Sequence, residues 1–182
     1  MEVKLIDEAG RVVQRGNRGE ICLRSSMRSV GYRGNDTLFR EAVDDANWLH
    51  TGDIAYMRQD GNLVIEGRRR DLISVQTNKF FPWVFEQTLK KMPGVYKAFA
   101  VGVPDKHSYQ VVCACVVPED GVTLTPDDVM KYCDDVFLEE SSTFVVTSKP
   151  VYHVVLESVP LTRTAKVDRI RIGQVAKERL GL

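Results

Sequence analysis

The chain has 182 residues, its 25 Lys and Arg balance 25 Asp and Glu, and 43% of it is hydrophobic. A neutral chain argues against a nucleic-acid binder, which needs a basic excess to meet phosphates. The longest uninterrupted apolar run, Val111 to Val117, falls far short of the ~20 residues of a membrane-spanning helix.

The first third reads as short strands with Gly-containing turns: Val3 to Ile6, Val12 to Gln14 and Gly19 to Arg24, then a hairpin of Ile54 to Arg58 and Asn62 to Glu66 around Gln59-Asp60-Gly61. The intervening stretch, Gly31 to Asn47, is polar and predicted irregular. After Arg68-Arg69-Arg70-Asp71 the pattern changes to alternating strands and helices, a boundary near residue 70. Pro82 opens a helix running to about Lys91, and strands follow over Tyr96 to Val103 and Gln110 to Val117. Thr125 and Pro126 start a second helix with a stripe of Val129, Tyr132, Cys133 and Val136. Strands at Phe144 to Thr147 and Val151 to Leu156, a loop over Pro160 to Lys166, and a helix from Asp168 to Gly181 complete an α+β chain.

The four cysteines, Cys22, Cys113, Cys115 and Cys133, form no CxxC pair, and Cys113 and Cys115 share one strand face. Reduced, packed thiols are expected. Met1 to Glu8 lacks the apolar core and cleavage site of a signal peptide, so an intracellular location is expected, and Arg179-Leu180-Gly181-Leu182 is no Ser-Lys-Leu peroxisomal signal. His50, His107 and His153 are scattered, and no spacing of them predicts a metal site.

Three segments place charge beside strand ends or glycine. In Trp48 to Asp53 the aspartate can accept two hydrogen bonds from a vicinal diol such as ribose, with Gly52 allowing close approach. Gly67 to Asp71 offers guanidinium forks suited to ribose or phosphate oxygens. Val159 to Arg169 projects Lys166, whose ammonium can neutralise developing negative charge. Each alone has an ordinary alternative: a turn, a solvated basic loop, an exposed lysine.

In order, these segments resemble the C-terminal portion of the adenylate-forming superfamily of acyl- and aryl-CoA synthetases, luciferases and peptide-synthetase adenylation domains. Gly19-Glu20-Ile21 through Gly31-Tyr32 resembles the family's GE(I/L)…GY segment, Trp48 to Asp53 its WxxTGD motif, and Asp60 to Arg68 its DGxxxxxGR. Val101 to Asp105 is similar to its VGxPD strand end, and Pro160 to Lys166 to its PxTxxGK loop. The resemblance covers nearly the whole chain. It implies a β-rich end of the large nucleotide-binding domain over residues 1–69, followed by a small mobile α+β domain over residues 70–182. It further implies that Asp53 binds ribose hydroxyls of ATP or AMP and that Arg68 contacts ribose and phosphate. Lys166 would bridge the α-phosphate and the carboxylate as the catalytic lysine, and Arg70 would lie at the hinge.

The departures are as informative. The family's phosphate loop and the glutamate motif that helps hold Mg²⁺ occur nowhere in the sequence, so the chain is expected to be a fragment that does not catalyse adenylation by itself. The acceptor-tunnel loop beside CoA reads Ser74-Val75-Gln76-Thr77-Asn78, with Thr77 in place of a glycine. Ala165 replaces the glycine before Lys166, Tyr109-Gln110 replaces a Gly-Glu pair, and Glu139 to Ser148 is longer and more polar than usual. The expected function is ATP-dependent activation of a carboxylic acid followed by transfer to CoA. The alternatives are a carrier-protein thiol or luciferase-like oxidation as the adenylate's fate, and a non-catalytic interaction module.

Overall fold

A computed structural model describes residues 1–31, 33–34, 36–139 and 149–182. The chain divides into two compact units, Met1–Arg70 and Asp71–Leu182.

The first unit is a four-stranded antiparallel sheet in the order β1 (Glu2–Ile6), β2 (Arg18–Arg24), β3 (Leu49–Met57) and β4 (Leu63–Arg68). Its core is small, with Leu5, Ile21 and Ala55 buried and Val3, Val13, Leu23, Met57 and Leu63 packed around them. Gly19 lets β2 close on β1, since a Cβ there would lie 2.8 Å from the Ile6 carbonyl oxygen. Two expectations are corrected. Val12 to Gln14 is not a strand: it makes one bridge, Ile6 to Val12, before the chain turns away. The polar segment predicted irregular contains a helix, α1 (Asp36–Ala42), too short for periodicity to reveal.

The second unit is built on a three-stranded sheet of β7 (Val95–Asp105), β8 (Tyr109–Pro118) and β9 (Tyr152–Val155), with β7 and β8 antiparallel and β8 and β9 parallel. Before it come a hairpin missed from sequence, β5 (Ile73–Val75) with β6 (Asn78–Phe80), and helix α2 (Pro82–Leu89). The long apolar run in β8 is explained by burial on both faces. Val112, Ala114 and Val116 pack with Phe85 and Leu89 of α2, and with Val129, Cys133 and Phe137 of α3 (Pro126–Glu139). Val111, Cys113 and Cys115 pack on the other face with Ile172 and Ala176 of α4 (Arg169–Leu180).

Local chemistry sets the helix ends. The Asp128 N–H donates to the Thr125 hydroxyl (3.2 Å), while the Asp128 carboxylate accepts from the Thr125 N–H (2.8 Å), a reciprocal cap at the start of α3. Asp168 caps α4 by accepting from the Arg171 N–H, and Gly181 ends it at φ 68°. All four cysteines are free and buried, and the sulfurs of Cys113 and Cys115 lie 3.8 Å apart on one strand face. Burial pushes the Cys133 thiol up to about 12 and also raises Cys22, so both stay protonated at neutral pH. The strand expected at Phe144 to Thr147, Tyr32, and all of Glu139 to Ser148 beyond Glu139 lie outside the described residues. Among the described residues no helix is long and apolar enough to cross a membrane.

Candidate functional site

The first site is made by a defect in a ladder. Between β2 and β3, Glu20 pairs with Ile54 and Cys22 with His50, so one residue of β2 faces three of β3, Thr51-Gly52-Asp53. The two extra residues bulge out of the sheet, and Gly52 takes φ 71°, a conformation that glycine adopts without Cβ strain. The ladder bonds lost there are replaced by side chains. The Thr51 hydroxyl donates to the Ile21 carbonyl (2.9 Å), the Gly52 N–H donates to Glu20 Oε1 (2.9 Å), and the Asp53 N–H donates to the Thr51 hydroxyl (3.1 Å).

On the other edge of the bulge Asp53 stands opposite Arg68 of β4. Arg68 Nε lies 2.9 Å from Asp53 Oδ1, and its Nη1 donates to the Thr51 carbonyl (2.7 Å), so one guanidinium ties both ends of the bulge. The Asp53 side chain remains 26% exposed. Thr51, Gly52, Arg68, Arg69 and Arg70 line a cleft of about 400 Å³. Asp53 with Gly52, and Arg68, singled out from sequence in two separate segments, are brought together by the fold. Glu20 received no role from sequence, yet its side chain is only 7% exposed and holds both Gly52 and Arg69, whose Nη1 lies 3.1 Å from Oε2. The available signal was a carboxylate inside the otherwise apolar run Gly19 to Leu23.

Arg70 lies in a single 3-10 turn, Arg69–Asp71, where the first unit ends. Lys166 belongs to the second unit. It is exposed on a tight hairpin closed by the Leu161–Val167 bridge, by the Thr162 N–H to the Lys166 carbonyl (2.7 Å), and by the Asp168 N–H to the Pro160 carbonyl (2.8 Å). Ala165 holds φ 57°, so the residue standing where the family has glycine adopts the glycine-type backbone. Tyr109, at the other glycine replacement, does the same at φ 61°. This turn is tied by Asp105, which accepts from the N–H groups of His107 and Ser108; those bonds hold its carboxyl below the usual range.

The segment Ser74 to Asn78 forms the β5–β6 turn. Thr77 is exposed there, and the left-handed backbone falls on Gln76, φ 53°, instead of Thr77. The Ser74 N–H donates to Gln110 Oε1 (2.8 Å), and the Gln110 side chain crosses Gly102, where a Cβ would come within 2.2 Å of Gln110 Cδ. Among the described residues no group of His, Cys, Asp and Glu is arranged to hold a metal ion.

Residues 85–166 match the AMP-binding enzyme C-terminal domain. The chain is 31% identical to the oxalate–CoA ligase of Arabidopsis thaliana over 174 residues, covering 95% of this chain and 32% of that enzyme. It is likewise 31% identical to the luciferin 4-monooxygenase of Luciola mingrelica over 180 residues, covering 97% of this chain and 31% of the relative. Among solved structures, an anthranilate CoA ligase in complex with anthranoyl-AMP superposes with a TM-score of 0.81 at 25% identity, over 100% of this chain and 34% of that one. The chain thus spans about a third of the length of the relatives it matches.

Proposed function

Since this chain belongs to the adenylate-forming, AMP-binding superfamily and corresponds to the C-terminal portion of its members, we propose that it serves the ATP-dependent activation of a carboxylic acid. In that reaction a carboxylate oxygen attacks the α-phosphate, the bond to the β-phosphate breaks, and an acyl-adenylate and pyrophosphate result. The acyl group then passes to the thiol of CoA, releasing AMP.

The observation that carries this reading is the Asp53–Arg68 pair across the Thr51–Asp53 bulge, which offers an acceptor for ribose hydroxyls beside guanidinium donors for phosphate. Lys166 supplies the cation. Two anions meet in the adenylation step, and a positioned ammonium stabilises the charge spreading over the transferring oxygens. Arg70 is the pivot between the nucleotide-binding and lysine-bearing parts, which we read as residues 1–69 and 70–182. Mg²⁺ would accompany the ATP phosphates, its ligands supplied by parts of the enzyme beyond these residues. Ser74 and Thr77 are assigned to the acceptor channel, and the four buried free cysteines support a reducing, intracellular setting.

AMP titrated into this chain is expected to shift the amide resonances of Thr51 to Asp53 and of Arg68, and Asp53→Ala to abolish those shifts. Absence of any change at these residues would overturn the nucleotide assignment. In the full-length protein, Lys166→Ala is expected to slow ATP–pyrophosphate exchange by about 10²–10³-fold with ATP affinity retained. An unchanged rate would remove Lys166 from the mechanism.

A second fate for the adenylate, a carrier-protein thiol or oxidation, is favoured by Gln76 and Thr77, whose side chains stand exposed at the acceptor turn. Thioester yield measured with CoA and with a carrier protein separates the two, CoA turnover at least equal to carrier turnover supporting the first. An interaction module without catalysis remains the reading to adopt if neither nucleotide nor acceptor binds.

A further inference from the structure

Three residues beyond Lys166 the chain does something that the lysine's own role does not require. Arg169 opens α4 and points its guanidinium between two carboxylates from distant parts of the second unit. Its Nη2 donates to Glu86 Oε2 (3.0 Å), and Nη1 lies 2.8 Å from Glu86 Oε1 as a charge contact without hydrogen-bond geometry. Its Nε lies 3.7 Å from Asp71 Oδ2. Glu86 is in α2 and only 7% exposed, and its Oε1 also accepts from the Ala100 N–H of β7 (3.1 Å). Asp71 is the first residue of the second unit, directly after Arg70.

We propose that Arg169 is a positioning residue, a strut that joins the Lys166 hairpin to Asp71 at the chain's entry into the second unit and to the α2–β7 scaffold. The proposal rests on the reading of Lys166 given above. The reasoning is mechanical. The hairpin 161–167 is exposed throughout and has no apolar burial of its own, so its internal hydrogen bonds define its shape but not its direction. Direction must come from its base, where Asp168 bonds back to Pro160 and Arg169 is gripped from two sides. A partly buried cation between two carboxylates is a stiff joint, since a shift that opens it leaves Glu86 buried without its counter-charge. The lysine loop and the first residue of the second unit are therefore tied to one scaffold, and Lys166 keeps a fixed direction relative to Asp71. Lysine at 169 would not serve equally, because a point charge cannot span both carboxylates as the planar fork does.

Amide hydrogen exchange of the 182-residue chain tests this. Loop amides open locally, whereas β7 and β8 amides open with the whole fold, so the two report different roles. Arg169→Gln is expected to speed exchange at Thr162, Ala165, Lys166 and Asp168 by about tenfold or more, whatever happens to β7 and β8, and Arg169→Lys to give an intermediate loss. Unchanged loop exchange, with or without faster exchange in the strands, would mean that Arg169 only stabilises the fold and would overturn the proposal. Should Arg169→Gln not fold, Glu86→Gln, which keeps an oxygen for the Ala100 N–H, gives the same readout with the same two outcomes. The measurement is independent of catalysis: an inert Lys166→Ala would remove the functional reading and leave the loop exchange result standing.

Discussion

The cleft at Asp53 and the hairpin at Lys166 hold charged groups by opposite means. At the cleft the sheet itself is broken: two extra residues in β3 leave the ladder, and Glu20, Thr51 and Arg68 replace its hydrogen bonds one by one. Little apolar mass lies behind it: the buried cluster among the described residues of that sheet is Leu5, Ile21 and Ala55, with Ile6 and Cys22 buried beside it. The hairpin instead rides on a sheet covered on both faces, and its charged anchors, Arg169 with Glu86 and Asp71, lie at its base. A site built by repairing a ladder depends on each repairing side chain, while a site carried on a packed scaffold depends on the scaffold first.

Four experiments break or sharpen that contrast. Phe85→Ala, which empties a fully buried ring site between Phe80 and Phe137, is expected to cost about 3–5 kcal/mol in chemical denaturation of the second unit. Amide protection in β2 and β3 should stay as it was, and a matching loss there would show that the two regions do not owe their stability to separate cores. Glu20→Ala leaves the Gly52 N–H without its acceptor and Arg69 without its partner, at about 1–3 kcal/mol. The Thr51–Asp53 amides should lose protection first; uniform loss across the sheet would contradict the repair account.

A smaller effect follows pH on the scaffold. Burial lowers His153, whose Nε2 has no hydrogen-bond partner among the described residues, so the folded state keeps it neutral where the unfolded state, near 6.5, takes up a proton. The unfolded state then binds more protons, and this contribution, complete above about pH 6.5, is lost as pH falls toward the lowered folded value. His153→Gln should flatten that part of the denaturation profile between pH 7.5 and 5.5, and an unchanged slope would dismiss it. Least of all, Ala165→Gly is expected to stabilise by about 0.5 kcal/mol, because relief of the φ 57° backbone slightly exceeds the added freedom of the unfolded chain. A loss on this substitution would mean that the Ala165 methyl packs in a way its exposure does not suggest.

Much of the scaffold was legible because its signals are local. Thr125-Pro126 with Asp128, Pro82, and Asp168 with Gly181 mark helix ends by the backbone groups they satisfy, and the β-branched run Val111 to Val117 marks a strand, whose burial on both faces only the fold revealed. Short elements escaped for the corresponding reason. The three-residue strands β5 and β6 and the seven-residue α1 are too brief to show a period, and Val12 to Gln14 has two β-branched residues like a strand but pairs only through the Ile6–Val12 bridge and the Val13 N–H to the Leu5 carbonyl (2.9 Å).

For the candidate site, residue types drew attention to Asp53, Arg68 and Lys166, but each segment alone had an ordinary alternative, and only their order, through its resemblance to the adenylate-forming superfamily, set the three apart. The bulge, the service of Glu20 to Gly52 and Arg69, and the grip of Asp71 and Glu86 on Arg169 were decided only in three dimensions. Each depends on strand register or on packing across 30 to almost 100 residues of sequence, and such a relation is a property of two segments together that neither segment carries alone.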